Sequence, residues 1–168
     1  MRSRMITILL VSGALLGGAA LAGNAPASGS PATLAPLKAL AGSWQAKGPD
    51  GKAVRATYEV QSGGSAVVEK LEMGGPAMIT VYYADGKDLM LTHYCSMGNQ
   101  PRMRTAGAPT GKEVDFAFVD ATNLETPAAD HMHGLKFTFT DANHFSQVWT
   151  MHRDGQEMPV TFSFERAK

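Results

Sequence analysis

The chain has a single cysteine, Cys95, among its 168 residues. One thiol cannot close an internal disulfide, so the fold must be held by its apolar core and its backbone hydrogen bonds. Neither sign of charge is in excess, with 15 Lys and Arg against 15 Asp and Glu. No basic cluster is present of the kind that grips a phosphate backbone, so nucleic acid is not an expected partner. Ser43 lacks the Gly-x-Ser-x-Gly elbow of a hydrolase, and Cys95 with His93 lacks a third, orienting group. The fixed spacing of a strong zinc signature is missing as well.

Only one long apolar run occurs, Met5 to Leu16, preceded by Arg2 and Arg4 and followed by small residues ending in Ala20-Leu21-Ala22. This pattern predicts a secretory signal peptide over 1–22; as a membrane span the run is short and broken by Gly13, Gly17 and Gly18. Cleavage would leave 168 − 22 = 146 residues with 13 Lys and Arg and 15 Asp and Glu, a formal charge of −2. That length suits one domain. The expected location is periplasmic or secreted, with no membrane span after cleavage.

Residues 23–33 are rich in Ala, Ser, Gly and Pro without apolar periodicity and read as a flexible lead-in to a single domain over 34–168. Leu34, Leu37, Leu40 and Ala41, with Pro36 near the start and Gly42 after the end, predict one helix of two turns. Beyond it, runs of Val, Phe, Tyr and Thr alternate with compact turns such as Pro49-Asp50-Gly51, Asp85-Gly86 and Asp154-Gly155. The punctuation predicts about ten strands, near 43–48, 54–61, 65–73, 77–84, 88–95, 100–106, 112–119, 134–140, 143–152 and 157–166. Short connections make consecutive strands antiparallel neighbours, and pairing the first with the last removes both exposed edges. The expected fold is therefore all-β, an up-and-down antiparallel barrel with one short N-terminal helix; a two-sheet sandwich is the alternative.

Period-two alternation sorts the side chains. Val114, Phe116 and Phe118, Leu135, Phe137 and Phe139, and Val160, Phe162 and Phe164 define the inward parity. The same rule turns inward Ala56, Tyr58 and Val60; Val67, Glu69, Leu71 and Met73; Leu89, Leu91, His93 and Cys95; and Phe145, Gln147, Trp149 and Met151. Polar groups on an apolar parity need partners or water. A ten-stranded barrel is wide enough to leave a cavity, and a few polar groups in an apolar concavity describe a small-molecule site. The expected lining is Tyr58, Glu69, Leu91, His93, Phe116, Phe137, Gln147 and Trp149, with the 120–134 loop as a lid. Alternatively Glu69 and His93 satisfy each other or a buried water.

Gly42-Ser43-Trp44, after a short helix, resembles the Gly-x-Trp opening of lipocalin-like and fatty-acid-binding-like barrels. The resemblance implies that Trp44 plugs the barrel base beneath a cationic side chain near the C-terminus, a place Arg166 can take. The stretches Met78 to Tyr83, Leu89 to Cys95 and Met97 to Met103 resemble an uncharacterised family of exported bacterial barrels of lipocalin-like or nitrobindin-like shape, over most of the chain after Leu34. Nitrobindins hold haem inside a ten-stranded barrel, so the resemblance also implies haem. The chain departs from them in two ways. Gln45, Ala46 and Lys47 follow the Trp where they carry further glycines, and no histidine follows His152 where their axial histidine would lie. Parity turns His144 and His152 outward.

Asp130-His131-Met132-His133 puts two imidazoles on one face of extended chain, which together with His93 gives a candidate site for copper or zinc through His93, His131 and His133. A Glu69/His93 acid–base pair would suit a barrel enzyme. Arg102 and Arg104 could meet an anionic headgroup. These readings converge on an exported barrel that binds a small apolar or amphipathic ligand with no obligatory chemistry, as a monomer or weak homodimer.

Overall fold

The computed structural model describes residues 32–107 and 109–168. The export signal expected over 1–22, and nearly all of the lead-in, lie outside the described residues. Ten runs of β-formers become ten strands: β1 (Gly42–Lys47), β2 (Ala53–Gln61), β3 (Ala66–Glu72), β4 (Met78–Asp85), β5 (Asp88–Tyr94), β6 (Gln100–Thr105), β7 (Glu113–Thr122), β8 (His131–Asp141), β9 (His144–Arg153) and β10 (Gln156–Arg166). Each pairs antiparallel with the next, and β1 returns to β10, so the sheet closes into a barrel. The connection expected over 120–134 is shorter than its sequence suggests, because β7 continues to Thr122 and β8 starts at His131. A lid spanning that whole stretch is therefore not present; most of its two flanks belongs to the wall. Among the described residues no helix is long and apolar enough to cross a membrane.

The helix is a single turn, α1 (Ala35–Lys38), half the expected length. Its apolar residues nevertheless do what their spacing predicts: Leu34, Leu37 and Leu40 are all buried. They close the base, the end where β1 starts and β10 finishes. Trp44 lies there, donating its indole N–H to the Leu40 carbonyl at 2.6 Å, with the Arg166 guanidinium 4.2 Å from its ring centre. Arg166 also donates to the carbonyls of Ala41 at 3.0 Å, Ala39 at 3.2 Å and Ala142 at 3.2 Å. Two of these follow α1, where outward-facing carbonyls favour a cation. Gly42 holds φ at +118°, and a Cβ there would stand 3.1 Å from the Arg166 guanidinium. The Gly-x-Trp opening is thus one half of a lock, and Arg166 the other.

The inward parity holds along nearly the whole wall. Ala56, Tyr58, Val67, Leu71, Leu89, Leu91, Val114, Phe116, Leu135, Phe137, Phe145, Trp149, Phe162 and Phe164 are all buried. Val60 shares its rung with the buried Val67 yet is exposed, because it lies at the strand end. Met73 follows the end of β3 and is exposed for the same reason.

Arg166→Ala removes both the ring contact and three carbonyl partners, and is expected to lower unfolding free energy by about 2 kcal/mol. Arg166→Lys should lose about half of that, since an ammonium lacks the planar fork. Urea unfolding of the two variants checks the order; equal and negligible losses would remove Arg166 from the closure.

Candidate functional site

The eight residues expected to line a cavity do meet in the lumen, where they fill the space. Tyr58, Glu69, Leu91, His93, Phe116, Phe137, Gln147 and Trp149 are each at most 2% exposed, so no appreciable water-sized space is left against them. Strand register explains the assembly. Tyr58 pairs with Glu69, Glu69 with Thr80, and Thr80 with His93, giving a polar row across four strands. Gln147 reaches over from the opposite wall, donating to the Tyr58 hydroxyl at 2.8 Å and to the Glu69 carboxyl oxygens at 3.0 and 3.1 Å. The Trp149 indole N–H donates to Gln147 Oε1 at 3.2 Å, and the Tyr82 hydroxyl donates to Glu69 Oε2.

Tyr82 belongs to this network and was not legible as a member. In Met78-Ile79-Thr80-Val81-Tyr82-Tyr83 both parities carry β-formers, so alternation does not choose a face. Its buried ring also touches Phe116 and Phe137, with centroids 5.9 and 5.8 Å away.

Glu69 and His93 are not an acid–base pair. Thr80 stands between them in register, and the Glu69 oxygens are taken by Tyr82 and Gln147. Burial raises the Glu69 pKa, against the hydrogen bonds that lower it. Burial also raises both phenols, Tyr58 and Tyr82, well above their usual range. For His93 burial acts in the other direction, lowering its pKa to about 4, so its imidazole is neutral at pH 7. Its Nδ1 lies 2.9 Å from the Thr80 hydroxyl and its ring 4.7 Å from that of Trp149. Its Nε2 is buried without any partner.

Among the described residues, the other buried side-chain polar atom in this condition is Asn99 Oδ1. The two belong to the same end of the barrel. His93 is the penultimate residue of β5, Asn99 immediately precedes β6, and the Asn99 carbonyl accepts from the Cys95 N–H at 3.1 Å. This end is the rim, opposite the base sealed by Trp44. On its lumen side Met132, Met151 and Met158 form one rung across β8, β9 and β10. Met132 and Met151 are half-buried and Met158 is exposed.

Two bulges mark the same end. Val119 has no partner in β6 and His133 none in β9. Bulges re-aim their neighbours, and here the rings of Phe118, His131, His133 and His152 gather, with centroids 4.6 to 5.6 Å apart. The candidate metal set of His93, His131 and His133 is therefore divided. His93 stays with Trp149 and Thr80, while His131 and His133 hydrogen-bond each other at 3.0 Å. His152, which parity turned away from any site, joins them, with Nδ1 2.9 Å from Glu157. The arginines considered for an anionic headgroup are already paired: Arg102 with Asp120, Arg104 with Asp85 and Asp88.

Two surface clefts occur elsewhere. One of about 940 Å³ runs along the seam where β1 and β10 part, lined by Gln45, Lys47, Arg55, Thr161, Ser163 and Glu165 among others. One of about 440 Å³ lies at the base between Pro36, Leu40, Trp44, Lys112 and Phe139. Neither includes any of the eight lumen residues.

No protein-family model matches the chain, and no curated protein sequence does. The crystal structure of Rv2717c from M. tuberculosis superposes with a TM-score of 0.55 at 15% identity, covering 80% of this chain and 97% of that one. The two share a fold. That likeness fits an uncharacterised β-barrel family and carries no activity with it.

Haem, implied by the nitrobindin-like resemblance, does not fit the lumen. A neutral imidazole with an open Nε2 has the donor chemistry of an axial ligand. Against this, Trp149 stands beside that ring, and the surrounding side chains leave no water-sized space, far less room for a porphyrin.

Two of the buried ionisable groups, His93 and Glu69, give the protein a pH signature. The folded pKa of His93 lies below its unfolded 6.5, so as pH falls from 6.5 towards 4 the unfolded chain takes up the proton first and stability drops, by about 3 kcal/mol in all. The folded pKa of Glu69 lies above its ordinary 4.5. As pH rises through 4.5 the unfolded carboxyl ionises first, and stability falls on that side as well. The two windows overlap above pH 4.5 with opposite signs, so the single variants separate them: in urea midpoints across pH, Glu69→Gln is expected to show only the loss on acidification through His93, and His93→Leu only the loss as pH rises through Glu69. An unchanged profile in both variants would contradict the burial argument.

Proposed function

We propose that the protein is an exported small-molecule-binding barrel that takes its ligand at the rim, with the ligand's polar group meeting His93 Nε2 and its apolar part packing against the methionine rung. The observation that carries this reading is the unpartnered His93 Nε2, which with Asn99 Oδ1 makes two unmet buried polar atoms at the rim end among the described residues. An unmet buried donor or acceptor costs about 1–3 kcal/mol, and leucine in its place would spare that cost. Towards the rim from Trp149, which touches His93, the next inward residues of β8, β9 and β10 are thioethers, Met132, Met151 and Met158, and Cys95 follows two residues after His93, all half-buried or exposed. Unbranched thioethers repack readily, which supports entry of a ligand by displacement rather than into a standing cavity. Export rests on the Arg2/Arg4, apolar-run and Ala20-Leu21-Ala22 pattern.

The test is native mass spectrometry of the protein purified from its own host, beside His93→Leu prepared identically. The expected result is a retained organic molecule of defined mass in the wild type and none in the variant. His93→Leu should at the same time change stability by less than about 1 kcal/mol, because losing the unmet nitrogen offsets taking its imidazole partner from the Thr80 hydroxyl. An empty wild-type barrel under gentle conditions, or a His93→Leu barrel destabilised by about 2 kcal/mol or more, would make His93 a structural residue and overturn the proposal.

A further inference from the structure

We infer that the rim over β8, β9 and β10 holds one divalent transition-metal ion of borderline hardness, Zn2+ or Cu2+, through His133, His152 and Glu157. One ligand atom from each of the three lies within 4.8 Å of the others. A tetrahedral ion with bonds of about 2.0–2.1 Å needs its ligand atoms about 3.3 Å apart. Closing the difference takes only side-chain rotation, and the positions allow it: His133 and His152 are half-buried and Glu157 is exposed. His152 Nδ1 and a Glu157 oxygen are already 2.9 Å apart, so the ion takes the place of the proton they share.

The His133 side of the site is aimed in advance. The Ala129 carbonyl, 2.7 Å from His131 Nδ1, can only accept, so His131 Nδ1 carries the proton. Neutral His131 therefore has a bare Nε2, and the 3.0 Å bond it makes to His133 Nδ1 must be donated by His133. That leaves the lone pair of neutral His133 on Nε2. A ligating histidine characteristically donates its other ring N–H in this way, and the donation fixes both tautomer and ring plane. Phe118, stacked 4.7 Å from the His133 ring at 17°, holds the plane from the other side. His131 is thus a positioning residue and not a ligand.

Two imidazole nitrogens and one carboxylate oxygen select the ion. Ca2+ and Mg2+ favour all-oxygen shells and Cu+ favours thioethers, whereas mixed nitrogen and oxygen suits Zn2+ and Cu2+. Three protein ligands leave a coordination position open towards solvent. None of the three is among the residues the proposed ligand meets, His93 and the methionine rung; each adjoins one of those methionines in the chain, and alternation turns His152 and Glu157 to the other face.

The experiment uses the full chain, stripped by dialysis against EDTA, and calorimetric titration with ZnCl2 and separately with CuCl2; CoCl2 gives an optical readout of coordination geometry. The expected result is one ion per chain. Affinity should fall at least about tenfold in His133→Ala and in His152→Ala. His144→Ala, which removes an exposed histidine paired only with Asp141, should bind as the wild type does. Intense visible bands on CoCl2 addition would report a four-coordinate site. Far-UV circular dichroism checks each variant's fold, and Glu157→Gln, at an exposed position, should lose affinity even where a histidine variant does not fold. A wild type that takes up no stoichiometric ion overturns the inference, as does a Glu157→Gln or His133→Ala/His152→Ala protein that binds as tightly as the wild type. Equal loss in His144→Ala would do the same. Failure here leaves the retained-ligand result untouched, and the converse also holds.

Discussion

The barrel closes on two rungs. β1 meets β10 through Trp44 with Arg166 and Gln45 with Glu165, with one more bond from the Ala167 N–H just past β10 to the Ser43 carbonyl at 2.9 Å, whereas β10 pairs with β9 along ten positions. So short a ladder is a weak clasp for a sheet of ten strands, and the base chemistry compensates. One guanidinium covers the Trp44 ring and joins α1, β1 and the β8–β9 turn through their carbonyls. Closure there removes both edges of the sheet. Beyond Gln45 the two strands part, and the wide cleft along the seam is the surface trace of that parting. The molecule is consequently tied at one end, while at the other its strands are held by their hairpin neighbours alone.

Once the sheet is closed, its interior is a fixed volume that the inward parity must fill. A carboxyl group in that interior is costly unless its oxygens are occupied, and two tyrosines and a glutamine surround Glu69 to occupy them. Raising its pKa favours the neutral acid, which can donate as well as accept, so the network can be satisfied without an internal cation. The polar row from Tyr58 to His93 crosses β2 to β5 at a single level. It is satisfied at the Tyr58 end and open at the His93 end. His93, next to last in β5, stands towards the rim and not the sealed base, in the part of the wall least constrained by closure.

The strands, their order and most of their inward residues were legible because two signals agree: tight turns at regular spacing and strict alternation of aromatic with polar residues. Phe137 and Phe139 between Lys136, Thr138 and Thr140 leave no choice of face. The Gly42-Ser43-Trp44 opening pointed to Arg166 for a reason the structure supplies, the absence of a Cβ where the guanidinium passes. Tyr82 was hidden by a segment apolar on both faces. His152 keeps the outward parity of β9, and what spacing did not show is the register that sets it beside His131 and Glu157. The filled lumen was equally hidden. Barrel width depends on strand tilt and stagger as well as on strand number, and sequence periodicity carries only the last. That the eight lumen residues would come together could be read; that they would leave no space could not.

The rim departs from the rest of the wall. Residues in mid-strand are bound to a face by alternation, because a change of parity there would put a charge in the core or an aromatic ring in water. At the rim adjacent rungs on β8, β9 and β10 carry sulfur on one face and imidazole with carboxylate on the other: Met132, Met151 and Met158, then His131, His152 and Glu157. Neither rung strengthens a core as Leu, Val or Phe would. Burial lowers the His133 pKa, which favours the form of its ring that offers a lone pair. Sulfur, imidazole and carboxylate thus meet at the end that closure leaves free.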